Sequence, residues 1–112
     1  YSTFEEAVTM AKANLLVEGA GHSAALHSNN DENIQKAGVE LPISRLVVNQ
    51  PSSTSAGGSL TNGFAPTTTL GCGSWGGNSI SENLDYKHLM NVSRIGKVIP
   101  DKKVPTDDEI WA

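Results

Sequence analysis

The chain has 112 residues, with 8 basic and 12 acidic side chains and a formal net charge of −4. An acidic balance with no basic cluster beyond Lys102-Lys103 argues against nucleic acid or an anionic membrane surface as a partner. No apolar run is long enough for a transmembrane helix, and a single cysteine cannot form an internal disulfide, so the composition predicts a cytoplasmic protein.

The first half of the chain predicts helix, strand, helix and strand in that order. The first helix, residues 3–17, has apolar side chains at the spacing of one helix face: Phe4, Ala7, Val8, Ala11, Leu15 and Leu16. Thr3 and Glu6 predict a capping box at its start. Residues 22–27 predict a short buried strand, and residues 29–41 a second helix that Pro42 ends. Residues 43–49 predict a strand, and its continuous apolar run Leu46-Val47-Val48 indicates that helices cover both faces, which is typical of α/β proteins.

The second half of the chain is dominated by loops. Residues 50–64 are rich in Pro, Ser, Thr, Ala and Gly, and the following run 69–83 holds four closely spaced glycines, the only cysteine and a tryptophan. Such a cluster predicts a tightly folded binding loop, because glycine allows a close approach to a ligand or a neighbouring segment. After a short helical stretch at 86–89, the alternation in residues 92–99 predicts an edge strand, and the polar tail 100–112 is expected to wrap or fray.

The glycine-rich run contains patterns of two kinds of site, a dinucleotide-binding loop and a cysteine nucleophile. Residues 71–76 match the G-x-G-x-x-G pattern of dinucleotide-binding loops, but they lack the preceding strand and the following long helix, which favours a packing loop. Cys72 has the residue type of a nucleophile, with His22, His27 or His88 as its base. The alternative is that Cys72 is a small buried apolar side chain, which the absence of a cysteine-hydrolase signature favours.

His22 is the titratable residue with the most informative position, between the first helix and the first strand. Its ring suits proton transfer near neutral pH, and an equally good interpretation is a cap on the carbonyls of the helix end. Trp75 is either a core residue or the wall of a pocket, and the flanking glycines favour the pocket. No spacing of His, Cys, Asp or Glu predicts a metal site.

Four segments together resemble one enzyme family: Gly19 to Ala24, Ser44 to Ser53, Leu70 to Asn83 and Lys87 to Asn91. In this order they look like the C-terminal part of CoA-acylating aldehyde dehydrogenases of the acetaldehyde and propionaldehyde type, and also like the aldehyde half of bifunctional aldehyde-alcohol dehydrogenases. The resemblance implies an α/β fold in which residues 1–99 are the C-terminal portion of the catalytic domain and residues 100–112 a polar tail.

The resemblance also implies the chemistry. The family oxidises an aldehyde with NAD, with NADP left open, and passes the acyl group from a cysteine thioester to coenzyme A, without a metal. That cysteine would lie upstream of Tyr1. His22 would be an auxiliary residue near the thiol, and Gly73, Ser74, Trp75 and Gly76 would shape the acyl pocket.

Further expectations concern the whole protein. Since the chain begins at Tyr1 without an initiator methionine, we expect a fragment that is inactive alone, taken from a stand-alone enzyme of the bacterial cytoplasm, with a microcompartment left open. By resemblance, residues 92–99 extend to a partner subunit in a homo-oligomer. The competing hypothesis is a small non-enzymatic α/β binding or assembly module that presents the loop around Trp75.

Overall fold

The structure is a computed structural model that describes residues 1–111. Its helices and strands are α1 (Phe4–Glu18), β1 (Gly21–Leu26), α2 (Asp31–Glu40), β2 (Ile43–Val48), α3 (Ser52–Ser55) and α4 (Asp107–Trp111), with 3₁₀ turns at Ser74–Gly76 and Tyr86–Leu89. The predicted order of helix, strand, helix and strand is confirmed, as is the short helical stretch before residue 90.

Side-chain caps explain where the two long helices begin. At α1 the Thr3 hydroxyl accepts a hydrogen bond from the Glu6 amide at 3.2 Å, and the Glu6 carboxylate accepts one from the Thr3 amide at 3.3 Å. At α2 the side-chain oxygen of Asn30 accepts from the amides of Glu32 and Asn33. These caps satisfy amides that have no partner inside a helix, so the sequence fixes both starting points locally.

The two strands form a parallel pair in which α2 is the crossover. Gly21 pairs with Ile43 at one end and Leu26 with Val48 at the other. Parallel neighbours require such a crossover, so β1, α2 and β2 are one β-α-β unit. Helix α1 packs on α2 and covers the same face of the sheet.

The core lies between the helices and this face of the sheet. Its buried members are joined by partly buried side chains of α1 and both strands: Val8, Ala37, Leu41 and Ile43, with Phe4, Ala11, Leu15, Ala24, Leu26 and Leu46. Leu16 was predicted to face inward and is 70% exposed. One residue on from Leu15 the helix has turned by about 100°, which takes Leu16 off the core face.

Loops, not a second layer of helices, cover the opposite face of the sheet. Arg45 and Val47 of β2 point to this face and are buried, together with Ser55, Ala56 and Asn83. The prediction that both faces of β2 are covered is therefore right, but helices cover only one of them. The one-turn helix α3 lies inside the segment 50–64 that was predicted as a loop.

The last part of the described chain is exposed. Residues 91–99 contain neither helix nor strand, so the predicted strand 92–99 is not formed in the chain by itself. A strand needs a hydrogen-bonded neighbour, and none lies beside this segment within residues 1–111. The tail was expected to wrap or fray, and it contains the short helix α4. No helix among the described residues has the length and apolar character needed to cross a membrane.

Candidate active site

The glycine-rich run folds back on itself as a closed loop. The Gly71 amide donates to the Glu82 carbonyl at 3.0 Å, and the Gly73 amide donates to the Ile80 carbonyl at 2.8 Å. Leu70 and Asn83 form an antiparallel bridge at its base. This is the tight loop that the glycine content predicted. We call residues 70–83 the glycine loop.

Two glycines allow the glycine loop to pack against the start of β1. Gly21 has φ +92°, and a Cβ built on it would overlap the carbonyl oxygen of Cys72. A Cβ on Gly76 would lie 2.5 Å from the Cys72 side chain and 3.1 Å from the Ala20 carbonyl oxygen. Backbone therefore contacts backbone here, and only hydrogen atoms fit between the segments.

Within the glycine loop, residues 73–76 were predicted to shape a pocket. The segment Ser74–Gly76 is a single 3₁₀ turn that ends at Gly77 in the left-handed conformation. A dinucleotide fingerprint would open a long helix at this point, so the structure agrees with the packing-loop interpretation of residues 71–76. Trp75 is 55% exposed and is not part of the cavity beside His22. Its role in an acyl pocket stays a prediction.

His22 is the second residue of β1 and its ring is exposed. The ring Nδ1 lies 3.2 Å from the Ser23 hydroxyl, whereas the end of α1 is closed by the backbone of Gly19, so the ring does not act as the helix cap. His22 also lines an open cavity of about 460 Å³. Hydroxyl side chains dominate the rest of its wall: Ser23, Ser52, Ser53, Thr54, Thr67 and Thr68.

A buried arginine lies directly behind His22. Arg45 is only 4% exposed, and its Nε donates to the Ser23 hydroxyl at 3.0 Å. One Nη donates to the His22 carbonyl at 3.3 Å and the other to the Asn83 side-chain oxygen at 3.5 Å. These bonds join β1, β2 and the base of the glycine loop around one guanidinium, whose fixed planar set of donors suits such a junction.

Asn83 completes this junction from the loop side. Its side-chain nitrogen donates to the carbonyls of Ala56 at 3.0 Å and Ala65 at 2.7 Å. Neither Arg45 nor Asn83 was singled out in the sequence. The available signal was a charged side chain in the middle of a strand that also contains Leu46, Val47 and Val48. A charged side chain can be buried at such a position only if its donors are hydrogen-bonded.

Cys72 has the contacts of a packing residue. Its side chain is partly buried, and the thiol donates to the Leu70 carbonyl at 3.9 Å. No histidine ring is among its hydrogen-bond partners in the part of the chain that the structure describes. The arrangement therefore supports the small apolar interpretation of Cys72 over that of a nucleophile with its base.

Charged side chains close the outer end of the glycine loop. Lys87 forms an ion pair with Glu82, and its hydrogen bond lowers the pKa of the Glu82 carboxyl and raises the pKa of Lys87. The Nδ1 of His88 accepts a hydrogen bond from the Asp85 amide at 2.9 Å, and the Nε2 of His88 lies 3.6 Å from the Glu82 carboxylate. Across residues 1–111 no three His, Cys, Asp or Glu side chains converge in a way that would hold a metal ion.

Comparison with known proteins identifies relatives over nearly the whole chain. The chain is 69% identical over 111 residues to the acetylating succinate-semialdehyde dehydrogenase of Clostridium kluyveri, and 40% identical over 111 residues to a sulfoacetaldehyde dehydrogenase of Acholeplasma. It is also 41% identical over 98 residues to the bifunctional aldehyde-alcohol dehydrogenase AdhE of Escherichia coli. The matches cover 99%, 99% and 84% of this chain, but only 24%, 23% and 11% of those proteins. No model of a protein family matches the sequence.

Solved structures give the same result for the fold. A probable aldehyde dehydrogenase from Listeria monocytogenes superimposes with a TM-score of 0.81 at 36% identity, covering 98% of this chain and 23% of that one. An acetylating aldehyde dehydrogenase from Geobacillus thermoglucosidasius does so with a TM-score of 0.80 at 31% identity, covering 96% and 23%.

Sequence and fold therefore define the class: the chain is a segment with the aldehyde dehydrogenase fold. Within that class its relatives include proteins named as acetylating or acylating aldehyde dehydrogenases, the group that its four segments resemble. The chain spans about a quarter of the length of its relatives from Clostridium and Acholeplasma. The alternative of a small non-enzymatic module is not favoured.

Proposed function

We propose that the chain is the C-terminal segment of the catalytic domain of a CoA-acylating aldehyde dehydrogenase. The observation that carries the proposal is the 69% identity over 111 residues to an acetylating succinate-semialdehyde dehydrogenase. The whole protein converts an aldehyde and coenzyme A to an acyl-CoA, through a thioester on a cysteine outside this chain. Acyl transfer from one thiol to another is close to balanced in free energy, so such a reaction runs in both directions.

The substrate is an aldehyde with an anionic group at its far end, of which succinate semialdehyde is the first candidate. Acetaldehyde and propionaldehyde, the substrates expected from the sequence, become the comparison substrates. Two relatives support this choice, because succinate semialdehyde and sulfoacetaldehyde both appear in their names and both carry an acidic group.

NAD binding is assigned to the rest of the protein. Residues 71–76 contain the required glycines but lead into the 3₁₀ turn Ser74–Gly76, and a helix long enough to receive a pyrophosphate is missing from the described chain after them. These residues do not fit a dinucleotide, so no step of the reaction is assigned to NAD or NADP through them. The chain contributes His22 beside the reacting thiol and residues 73–76 to the wall of the acyl pocket.

The remaining parts of the proposal concern assembly and location. Residues 92–99 form a strand with a second copy of the protein, which supplies the neighbour that the segment lacks here. Residues 1–99 act as the catalytic-domain segment and residues 100–112 as the tail. A bacterial cytoplasmic location agrees with the single cysteine and with the class of the relatives.

A segment exchange tests the function directly. This chain replaces the corresponding quarter of the Clostridium kluyveri relative, and NADH formation is followed with succinate semialdehyde, acetaldehyde and propionaldehyde, each with and without coenzyme A. We expect coenzyme-A-dependent turnover that is fastest with succinate semialdehyde, and no turnover by the 112-residue chain alone. A folded hybrid that is inactive while the unmodified relative turns over would refute the proposal.

A further inference from the structure

We infer that Arg45 and Ser23 are positioning residues that hold the neutral His22 ring with its proton on Nε2, so that His22 acts as a hydrogen-bond donor and not as a base. The inference rests on the proposed function only for the identity of the reacting group that lies beside His22. The protonation pattern itself follows from three groups that lie in a row: the Arg45 guanidinium, the Ser23 hydroxyl and the His22 ring.

The first step is the direction of the bond between Arg45 and Ser23. An arginine Nε–H can only donate, so at 3.0 Å it occupies a lone pair of the Ser23 oxygen. Arg45 is 4% exposed and held by the His22 carbonyl and the Asn83 side chain as well, so its plane is fixed. The Ser23 oxygen therefore receives one hydrogen bond whose direction does not depend on any protonation choice.

The second step is where the Ser23 proton goes. A hydroxyl has one proton to donate, and the other neighbour of this oxygen is the His22 Nδ1 at 3.2 Å. If Nδ1 carried a proton, the Ser23 oxygen would accept twice and its own proton would lack an acceptor among the described residues. If Nδ1 accepts, all three groups are satisfied, and the guanidinium polarises the hydroxyl in the direction of this donation.

The third step is the consequence for the exposed side of the ring. A neutral imidazole that accepts at Nδ1 carries its proton on Nε2. His22 is exposed and lines the cavity of about 460 Å³, so the group offered to a ligand there is an N–H donor. Such a donor stabilises negative charge that develops on an oxygen or a sulfur beside it, whereas it has no lone pair at Nε2 with which to remove a proton.

The other two histidines provide internal references for an NMR test on the full 112-residue chain. The His88 Nδ1 lies 2.9 Å from the Asp85 amide, a fixed donor, and 3.2 Å from the Asp85 carbonyl oxygen, and the shorter contact favours a neutral ring with its proton on Nε2. His27 has no ring partner among the hydrogen bonds of the described chain. Long-range proton–nitrogen correlation spectra at pH 8 report the ratio of the two neutral forms for each ring.

We expect the ratio of Nε2–H to Nδ1–H for His22 to exceed that of His27 by about fivefold, the preference that one hydrogen bond provides. Ser23→Ala brings the His22 ratio to that of His27, Ser23→Thr retains the wild-type ratio, and His88 stays constant in both. Arg45→Lys removes the Nε donor and lowers the His22 ratio towards that of His27. A wild-type ratio at or below that of His27 would overturn the inference, and an unchanged ratio in folded Arg45→Lys would remove Arg45 from it.

The donor role is tested in the segment-exchange hybrid. Glutamine places its amide N–H near the position of Nε2, and asparagine places its own near Nδ1. We expect His22→Asn to lower kcat by about 100-fold or more, the usual effect of losing such a donor, and His22→Gln to lose clearly less. The reverse order would contradict the donor role. If the unmodified hybrid itself is inactive, the proposed function fails, and the NMR ratios still decide the protonation pattern.

Discussion

At Gly21 a single added methyl group would push the glycine loop away from β1. A Cβ there would overlap the Cys72 carbonyl oxygen, and φ +92° is a conformation that other residues rarely adopt. We predict that Gly21→Ala lowers the free energy of unfolding by roughly 3 kcal/mol, from backbone strain together with overpacking. Urea denaturation measures this change.

Gly19→Ala is the matched control for this prediction. Gly19 also has a positive φ, +132°, but a Cβ there would meet nothing within 4 Å. Gly19→Ala therefore introduces backbone strain without steric overlap. The difference in unfolding free energy between the two variants measures the contribution of the close contact with Cys72. Equal losses in both variants would show that the glycine loop does not need this contact.

Asn83 is the second residue that stabilises the packing of the loops on the sheet. Asn83→Ala removes one of the three acceptors of Arg45 and leaves the carbonyls of Ala56 and Ala65 without their donor. We predict a loss of about 3 kcal/mol in the free energy of unfolding, because the Ala56 carbonyl and the charged Arg45 guanidinium that are left behind belong to buried residues. Asn14→Ala on the exposed side of α1 should be neutral within about 0.5 kcal/mol, since substitutions at such surface sites rarely matter more.

At the scale of elements, an ion pair joins α1 to α2. Lys36 lies 2.9 Å from the Glu5 carboxylate, and its hydrogen bond lowers the pKa of Glu5, while the pKa of Lys36 is raised in return. A carboxyl whose pKa is lowered by folding contributes stability that is present above its unfolded pKa and is lost as the pH falls through its folded pKa. The Glu5 side chain is 66% exposed and that of Lys36 34% exposed, so solvent screens the pair and its contribution to stability is small.

The lowered pKa of Glu5 predicts how the stabilisation by the Lys36–Glu5 pair changes with pH. The difference in unfolding free energy between the wild-type chain and Lys36→Gln should be positive at pH 7 and should vanish as the pH is lowered through the folded pKa of Glu5. Lys12→Gln is a control for the loss of a lysine without this pair, since Lys12 is exposed and forms no ion pair among residues 1–111. A difference that is independent of pH would mean that Lys36 acts through packing alone.

The elements also show why one half of the chain was predictable. The boundaries of α1, β1, α2 and β2 follow from local signals such as the Thr3 capping box, the Asn30 cap and Pro42. The closure of the glycine loop and the burial of Arg45 depend on contacts with residues far along the chain, such as Asn83, which spacing does not reveal. Leu16 is a different case, because its apolar character suggested a core position although the helix rotation from Leu15 takes it off the core face.

For the molecule as a whole, the dimensions indicate an incomplete unit. The radius of gyration is 19.4 Å, whereas a compact domain of this length has about 13 Å. Apolar side chains outside the core are exposed on α1 and along the last part of the chain: Met10, Leu16, Val17, Val92, Ile95, Val98 and Ile99. Since the chain spans about a quarter of its relatives from Clostridium and Acholeplasma, these surfaces are where we expect the rest of the protein and a second subunit to pack.

Amide hydrogen exchange distinguishes these two partners. Between residues 91 and 104, no backbone amide donates to another backbone group in the described chain, so these amides should exchange at nearly the unfolded rate in the 112-residue chain. We expect the segment-exchange hybrid to be oligomeric and residues 92–99 to be protected in it, because a strand of a second subunit would supply acceptors for every other amide. Ile95→Pro removes a backbone donor from such a strand, so this variant of the hybrid should lose the protection of residues 92–99, whereas the amides of β2 should stay protected. Slow exchange in the isolated chain, or unchanged exchange on assembly, would exclude an intersubunit strand at residues 92–99.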